Sequence, residues 1–444
     1  MAGGTFDTQN KVRAGVYIKF KSAPATSFAV GTRGTVAICE PLSWGPVATV
    51  TEIDASADLV PITGYALTDP HNRFLQEMFK GTNRTAGPET VLLYRPAAGG
   101  AVAASGTAGT LGITANYAGS RGNDITVAIT AIPDTTDFTV ETIVDGVVMD
   151  SQIAASGADL TANAWVTFTG TDTLTATAGV ALEGGADGTV ASSAYASFLT
   201  AIEPYHFDIL CYDGTDTTVI SAFQIFIERI AAENGQYAQL VAANMTNPDS
   251  RFCINVCSGV TLDDGTVLTP AQTTWWVAGA EAGALYNESL TYAQYPGAVA
   301  VSPVLTNAGY ISGINAGQFL LLSDRDSVKV ESDIDSLTTL TAEIGAVYKK
   351  NRVMRLCNQI ANDIFAEFSA NYIGVINNDE VGRSRFKGAI CGYLLDIQAN
   401  GGIQNFDPDD VEVLAGQWID AVVITVAIQV VDAAEKIYIT VEVS

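Results

Sequence analysis

Histidines, clustered aspartates and cysteines are the residues of this chain whose types and spacing could do chemistry. Only two histidines occur, His71 and His206, and a Ser-His-Asp hydrolase needs a histidine within reach of both a serine and a carboxylate. His71 follows Asp69-Pro70 at a predicted helix start, and His206 precedes a predicted buried strand, so both are interpreted as boundary residues. No G-x-S-x-G, P-loop, HExxH or dinucleotide-binding fingerprint occurs. The sequence therefore predicts no enzyme, no catalytic residue and no cofactor.

The aspartates and cysteines are the candidate ligands for a metal site. Two aspartate clusters could bind Ca²⁺, but neither has EF-hand spacing, so solvated loop charge is favoured. The clusters are Asp407, Asp409 and Asp410, and Asp324, Asp326, Asp333 and Asp335. The cysteines lack CxxC or Cys/His ligand spacing, which predicts free, buried thiols and no metal ligand. They are Cys39, Cys211, Cys253, Cys257, Cys357 and Cys391.

Length and charge restrict the class of protein. The chain has 444 residues, 22 Lys and Arg against 48 Asp and Glu, and a formal net charge of -26. This length exceeds the roughly 250 to 300 residues of a single core, so several domains are expected. The acidic balance argues against nucleic acid or an anionic membrane as a partner. Without a signal-peptide pattern or a run of about 18 apolar residues, we expect no membrane insertion and synthesis in a cytoplasm.

Strand-like alternation near both ends of the chain predicts self-association. Residues 421–431 alternate strictly between two faces, and after a polar break at 432–436 the alternation resumes. An apolar β-branched strand with unpaired backbone groups invites pairing with another chain, as in β-augmentation. The predicted subunit-linking residues are Val16, Tyr17, Ile18 and Phe20, with Val422, Ile424, Val426, Ile428, Ile437, Ile439, Val441 and Val443.

Composition and periodicity divide the chain into α/β, all-β and mixed parts. Runs without alternation, such as DILCY and QLVAA, predict strands buried on both faces of a largely parallel sheet. Short strands joined by turns such as Asp145-Gly146 predict an all-β insertion. The expected parts are an N-terminal arm with a donated strand (1–21), a mixed α/β segment packing with the α/β domain (22–97), the insertion (98–187), the α/β domain (188–332), a C-terminal core domain (333–431) and a C-terminal arm (432–444).

Several segments resemble the contractile tail sheath proteins of myophages and phage-tail-like bacteriocins, especially those of Gram-positive hosts. The resemblance spans nearly the whole chain. It is carried by GGTF with KVRAGVYIKF, RGTVAICEPLSWGP (33–46), YAGSRGNDITVAI (117–129), NRVMRLCNQIANDI (351–364), and NFDPDDVEV through AVVITVAIQVVDAAEKIYITV.

The resemblance implies a fold and a function. The expected fold is α+β multidomain: a non-catalytic, subtilisin-like α/β domain, an inserted β-sandwich, and a C-terminal α+β domain completed by strand exchange between subunits. The expected function is a virion or tail-particle subunit that forms stacked hexameric rings around an inner tail tube and contracts, with baseplate and tail terminator proteins as further partners. A static surface-array or adhesin protein is the alternative, and a hydrolase comes third.

Basic residues concentrated near residue 350 led to a further hypothesis. In a predicted helix whose apolar face includes Ile344 and Val347, Lys349, Arg352 and Arg355 occur at helical spacing, and Lys350 completes this basic set. One interpretation is a docking surface for the tube. The other is an ordinary solvated face or pairing to local carboxylates. The sequence leaves both open.

Overall fold

The chain separates into two compact units. The computed structural model describes residues 2–4, 15–17 and 28–443. The larger unit contains residues 32–362 and 432–444, and the smaller one residues 1–31 and 363–431. The protein is therefore a multidomain α+β chain.

A seven-stranded sheet forms the centre of the larger unit. Six neighbouring strands run parallel, and the edge strand Val50–Ile53 is antiparallel. The prediction of a largely parallel sheet is thus confirmed by the pairing, and residues 35–94 supply three of its strands. In spatial order the strands are Gln318–Phe319, Cys253–Val256, Gln239–Ala243, Ile209–Tyr212, Thr35–Cys39, Thr90–Tyr94 and Val50–Ile53.

Both faces of this sheet are buried in apolar cores. In Thr35–Cys39, Val36 and Ile38 belong to one core, whereas Ala37 and Cys39 belong to the other. This follows from the two-residue period of a strand, and it explains why the strands are apolar without alternation. The first core includes helices Arg73–Phe79 and Pro270–Gly283, and the second includes helices Ser192–Ile202 and Thr217–Arg229, the latter followed by the π-helical turn Ile230–Asn234.

Helix Pro270–Gly283 is almost completely buried. It begins with a capping box, in which the Thr269 hydroxyl accepts from the backbone N–H of Gln272 and the Gln272 side chain accepts from that of Thr269. A Cβ atom at Gly279 would lie 1.9 Å from the carbonyl oxygen of Met78, so glycine permits the close approach of the neighbouring helix Arg73–Phe79. This helix is therefore a central part of the first core.

The insertion forms two antiparallel sheets around its own core. The Asp145-Gly146 turn joins Phe138–Val144 to Val147–Ala154 with positive φ at both residues, as a two-residue hairpin requires. The predicted hairpin and the all-β nature of this part are confirmed. One sheet contains Val147–Ala154, Phe138–Val144, Ile125–Ala131 and Thr177–Ala181, and the other contains Val166–Thr169, Leu111–Ala115 and Ser105–Ala108.

Smaller elements complete the larger unit. Two three-stranded antiparallel sheets contain Val267–Leu268, Gly259–Leu262 and Ala298–Ser302, and Gln294–Tyr295, Ser327–Val330 and Leu321–Asp324. The short helices are Val60–Thr63 and Asn307–Asn315, with 3-10 turns at Pro70–Asn72, Ser120–Asp124, Gly157–Asp159 and Ala346–Lys349.

The smaller unit combines helices with two-stranded ribbons. The long helix Asn351–Asn371 begins in the larger unit and ends in this one, and Glu380–Ala399 follows. The predicted helix start near Ile344 is wrong, because residues 346–349 form a 3-10 turn and the regular helix begins at Asn351. The strands pair as Ala2–Gly4 with Gly15–Tyr17, Ile403–Gln404 with Gln429–Val430, and Val411–Ala415 with Val422–Val426, and a 3-10 turn lies at Pro408–Asp410.

Removal of the insertion is a direct test of its independence. Gly99 and Thr189 exchange two backbone hydrogen bonds, of 2.9 and 3.0 Å, so a short linker can replace residues 100–188. Trp44, from outside the insertion, is completely buried in the insertion core and would be exposed by the deletion. We expect the deletion with Trp44→Ser to be soluble and folded, and the deletion alone to aggregate more.

Circular dichroism and analytical gel filtration of the two deletion variants would provide the comparison. If both variants are unfolded, the insertion is part of the central core.

Candidate functional site

Open strand edges in the smaller unit are the first element of a candidate assembly site. Each ribbon contains two strands among the described residues, so each has edges whose backbone groups lack a strand partner there. A two-stranded ribbon is marginally stable alone, and Val411–Ala415 packs against helix Glu380–Ala399. The ribbon is thus held on one side and can accept a further strand at an edge.

The predicted alternation of residues 422–430 is present, but the predicted continuous strand is wrong. Val422, Ile424, Val426 and Ile428 are half-buried, whereas the residues between them are exposed. The strand ends after Val426 because the chain changes partner. The N–H of Ala427 still bonds to Asp410, whereas Gln429–Val430 pairs with Ile403–Gln404.

The C-terminal segment is the second element. Residues 432–443 form no helix or strand, and Ile437, Ile439, Val441 and Val443 are 77 to 92% exposed. Exposed apolar side chains of this size mark an interaction surface. Their period-two spacing suits a strand whose partner is outside this chain.

Glu435 anchors the start of this segment on the larger unit. Its carboxylate forms an ion pair with Lys350 and accepts a 2.7 Å hydrogen bond from the hydroxyl of Thr291. Lys349 and Ile334 lie in the same groove, whose volume is about 400 Å³. The segment is therefore fixed at residue 435 and exposed beyond it.

The structure describes only some of the N-terminal residues that were predicted to link subunits. Val16 and Tyr17 lie in the strand Gly15–Tyr17, which pairs in parallel with Ala2–Gly4. Ile18 and Phe20 lie outside the described residues.

The predicted basic surface is wrong at Arg355. The side chain of Arg355 is completely buried, forms ion pairs with Glu281 and, at 2.8 Å, with Asp333, and donates to the carbonyl oxygen of Glu288. Every residue of 351–356 is buried, so the first turn of this helix has no solvent face. Helical spacing of charges therefore indicated a surface that does not exist.

The other three residues of the basic set differ in their exposure to solvent and in their contacts. Arg352 is also buried, and burial lowers its pKa, so it is not a surface residue either. Lys349 and Lys350 are half-exposed. Because Lys350 pairs with Glu435, it contacts the C-terminal segment of the same chain.

The buried carboxylates around Arg355 were missed from the sequence. Asp333 and Asp335 were expected to be solvated loop charges, which is wrong because both are buried. Burial raises the pKa of Glu281 and of Asp335 well above the ordinary values, whereas Arg355 holds the pKa of Asp333 below its own. The one available signal was Glu281 itself, a single acid in the apolar helical run WWVAGAEAGALY.

The residues with catalytic or metal-binding potential have structural contacts. His71 Nδ1 lies 2.7 Å from Asp69 Oδ1, and its ring stacks on Tyr65 with ring centroids 4.0 Å apart. His206 is exposed. Asp407 and Asp410 form the capping box of a 3-10 turn. All six cysteines are free thiols, as predicted, although Cys257 and Cys357 are only partly buried.

Searches for metal-binding and membrane-spanning features gave no candidate. Within residues 28–443 and the two short N-terminal strands, no group of three or more His, Cys, Asp or Glu could hold a metal ion. None of the helices described is both long and apolar enough to cross a bilayer.

Comparison with known families identifies the class of protein. Models of the phage tail sheath protein central domain, C-terminal domain and β-sandwich domain match residues 188–336, 345–444 and 97–187, and the tail sheath protein Gp18 domain III N-terminal region matches 33–95. The matches place the chain among the structural proteins of phage tails and tail-like particles. It belongs to the phage tail sheath protein family.

Related proteins align with this chain over nearly its full length. The phage-like element PBSX protein XkdK of Bacillus subtilis is 37% identical, with both chains covered completely. A sheath tail protein of Desulfitobacterium hafniense is 40% identical with a TM-score of 0.86, covering 96% of this chain and 99% of its own. One from Listeria innocua is 32% identical with a TM-score of 0.77, covering 94% and 96%. The contracted helical sheath of the anti-feeding prophage, at 14% identity, TM-score 0.59 and coverage of 96% and 98%, shares the fold.

The buried cluster predicts a large stability effect for Arg355→Ala. Removing Arg355 leaves the carboxyl groups of Asp333 and Glu281 buried without their cation, and breaking a buried pair costs about 3 to 5 kcal/mol. The change Lys349→Ala, in the same predicted basic set but half-exposed, should cost about 0.5 kcal/mol or less. Urea unfolding followed by tryptophan fluorescence would measure both. Equal stability of the two variants would contradict the buried geometry.

Proposed function

We propose that this chain polymerises as stacked hexameric rings around an inner tail tube and contracts to drive that tube through a target cell envelope. The observation that carries the proposal is the combination of open ribbon edges in the smaller unit with an anchored, exposed apolar segment at 436–443. Both features leave backbone pairing capacity that a second copy of the chain can use.

Strand exchange would link each subunit to its neighbours. A segment that leaves one subunit and adds to an edge of the next is a heterologous contact, which generates rings or helices when repeated. The residues proposed to donate are those predicted from alternation, above all Ile437, Ile439, Val441 and Val443. The ribbon Val411–Ala415 with Val422–Val426 is the proposed acceptor.

Contraction would follow from rigid-body movement of linked subunits. If the exchanged strands persist while the packed cores rotate, the sheath can shorten and widen without subunits separating. New contacts between outer domains would supply the free energy, and a kinetic barrier would hold the extended state until a signal arrives. The shared fold with a contracted sheath supports this proposal.

The proposal also covers partners, location and the absence of catalysis. The inner tube, the baseplate and the tail terminator are the proposed partners besides the chain itself, and assembly would occur in the bacterial cytoplasm. The α/β domain is proposed to be subtilisin-like in fold and non-catalytic. In support, the His71 ring contacts the Asp69 carboxylate and stacks on Tyr65.

Proline in the exposed segment tests strand donation. Thr440→Pro removes a backbone N–H and disfavours a central strand position. Because residues 432–443 form no strand within the chain, the variant should fold normally and lose long polymers. Thr440→Ala keeps the N–H and should polymerise as the wild type does.

Negative-stain microscopy with sedimentation velocity would measure polymer length. Tubes of normal length from Thr440→Pro would contradict strand donation by this segment, and flat lattices from the wild type would favour the surface-array alternative.

Charge-reversal variants of Lys349 and Lys350 distinguish a contact with the tube from the anchoring of the C-terminal segment at Glu435. Lys349 is the half-exposed residue of the basic set that remains a candidate for the tube contact, whereas Lys350 pairs with Glu435. Lys349→Glu should reduce extended sheath on tubes and leave sheath assembled alone unchanged. Lys350→Glu places two carboxylates together and should shorten both kinds of polymer. Normal tube decoration by Lys349→Glu would place the docking contact elsewhere.

A further inference from the structure

The buried cluster around Arg355 brings two carboxyl groups to one cation. The two terminal nitrogens of the guanidinium form ion pairs with Glu281 and, at 2.8 Å, with Asp333, and all three side chains are at most 1% exposed. If both carboxyl groups were ionised, one buried negative charge would exceed what this guanidinium compensates, which is costly away from water. The charges of the cluster therefore balance only if the two carboxyl groups retain a proton.

The hydrogen bonds of the pair leave a place for that proton. Glu281 Oε1 accepts a 3.0 Å bond from the side-chain amide of Asn351. Asp333 Oδ2 accepts bonds of 2.8 and 2.9 Å from Arg355 and from the backbone N–H of Leu290. Asp333 Oδ1, in contrast, is buried and receives no bond from an N–H or O–H donor in the part of the chain that the structure describes. The two carboxyl groups lie within hydrogen-bonding reach of each other, so a proton on one of them supplies the missing donor.

The two carboxyl groups differ in which of them holds the proton. Burial, and then the charge of Asp333, raise the pKa of Glu281 well above its ordinary value of 4.5. Burial also acts on Asp333, but the charge of Arg355 outweighs it and lowers the pKa of Asp333. Glu281 is therefore the acid that donates, and Asp333 is the carboxylate that pairs with Arg355.

Other charged groups surround the pair on the elements packed against it. Arg352 favours the charged form of Asp333, and Arg355 remains the cation in contact with Glu281. The further groups are Asp335, with Lys349 and Arg251 facing it; Asp432, which faces Arg352; Glu288, whose backbone carbonyl accepts from Arg355; and Arg33, which donates to the backbone carbonyl of Glu281 and pairs with Asp208.

Asp333 connects this pair to two structural elements. Its backbone N–H donates a 2.9 Å bond to the hydroxyl of Thr291, which in turn donates to Glu435 at the start of the C-terminal segment. Its backbone carbonyl accepts a 3.2 Å bond from the N–H of Asn351, the first residue of the long helix. A displacement of Asp333 would therefore loosen both the helix start and the anchor at Glu435.

We propose that Glu281 and Asp333 share one proton in the folded subunit, and that its loss at alkaline pH releases the start of the long helix and the anchor of the C-terminal segment. Deprotonation breaks the O–H bond of Glu281, transfers the proton to water and leaves two carboxylates on one guanidinium. Their repulsion, and the loss of the donor to Asp333, then favour displacement of Asp333. The pair is a pH-sensitive switch. Only its consequence for polymers rests on the proposed function.

The pKa of Glu281 determines the sign of the pH dependence. In the unfolded chain Glu281 loses its proton above its ordinary value of 4.5, whereas in the folded subunit it keeps the proton to higher pH. Between these two pH values the folded state binds one proton more, so rising pH favours unfolding. The lowered pKa of Asp333 acts in the opposite direction and only at acidic pH, below its ordinary value of 3.8.

Urea unfolding of the full chain at a series of pH values is the first measurement. Asp333→Asn leaves one carboxyl group for one cation. Its amide oxygen can accept from Leu290 and Arg355, and its nitrogen can donate to Glu281, so the shared proton is no longer needed. Glu281→Gln likewise leaves one carboxyl group. The unfolding constant of the wild type should rise with pH more steeply than that of either variant, by up to about tenfold per pH unit.

Hydrogen–deuterium exchange locates the release. The amides of Leu290, Asp333 and Asn351 donate to the groups that the switch displaces. After correction for intrinsic rates, their protection in the wild type should fall by about tenfold or more between about pH 6 and pH 9, and that in Asp333→Asn should not.

Glu40→Gln is the matched control. Burial, and then Asp213, also raise the pKa of Glu40, but its hydrogen bond is to Asp213 and not to the anchor. This variant should lose protection at the three amides as the wild type does. If Glu281→Gln fails to fold, Asp333→Asn decides the test.

The pH slopes and the exchange data each can overturn the proposal. Equal pH slopes in the wild type and Asp333→Asn would do so, and so would pH-independent protection of the three amides in the wild type. Microscopy of polymers at the two pH values separates this inference from the proposed function. If protection falls at alkaline pH in the wild type but not in Asp333→Asn, and wild-type polymers keep their length, the switch stands and strand donation by residues 436–443 is contradicted.

Discussion

The buried ion cluster around Arg355 is the interaction on which the larger unit's organisation depends. Arg355 joins the first turns of the long helix to Glu281 of a core helix and to Asp333. The backbone N–H of Asp333 donates to the hydroxyl of Thr291, and that hydroxyl donates to Glu435. One continuous set of charged and polar contacts therefore fixes both the beginning of the long helix and the beginning of the exposed C-terminal segment.

Such a cluster fixes the positions of the elements that it joins more than it adds to the net free energy of unfolding. Removing charges from water costs several kcal/mol per ion, which their mutual attraction only offsets when every hydrogen bond is made. Hydrophobic packing of the two cores supplies most of the stability, since it scales with buried apolar area. The cluster instead makes a displaced helix or segment costly, because a shift would leave Glu281 or Asp333 buried without a cation. If residues 436–443 link subunits as proposed, a fixed origin of this segment is the useful property.

Local sequence signals predicted the elements well and the charged site poorly. The strand Gln239–Ala243 and the turn at Asp145-Gly146 each depend on residues within a few positions, so pattern alone identified them. Arg355 depends on Glu281, which is 74 residues earlier. Its spacing from Arg352 is that of a solvent-facing stripe, and only tertiary packing makes that stripe buried.

The exposed segment illustrates how a weak interaction becomes specific when its origin is fixed. A free peptide adding to a strand edge would lose the conformational entropy of every residue that it orders, about 1 to 2 kcal/mol each for the backbone. The anchor at Glu435 restricts residues 436–443 to a small volume, which raises their effective concentration at an edge within reach. The anchor is itself an ion pair with a half-exposed lysine, of the kind worth about 1 kcal/mol or less, so it derives its persistence from the Thr291 and Asp333 contacts behind it. If residues 436–443 donate a strand as proposed, the buried charge before residue 436 and the strand pairing beyond it act together, because the interior of the subunit then determines where its link to other copies begins.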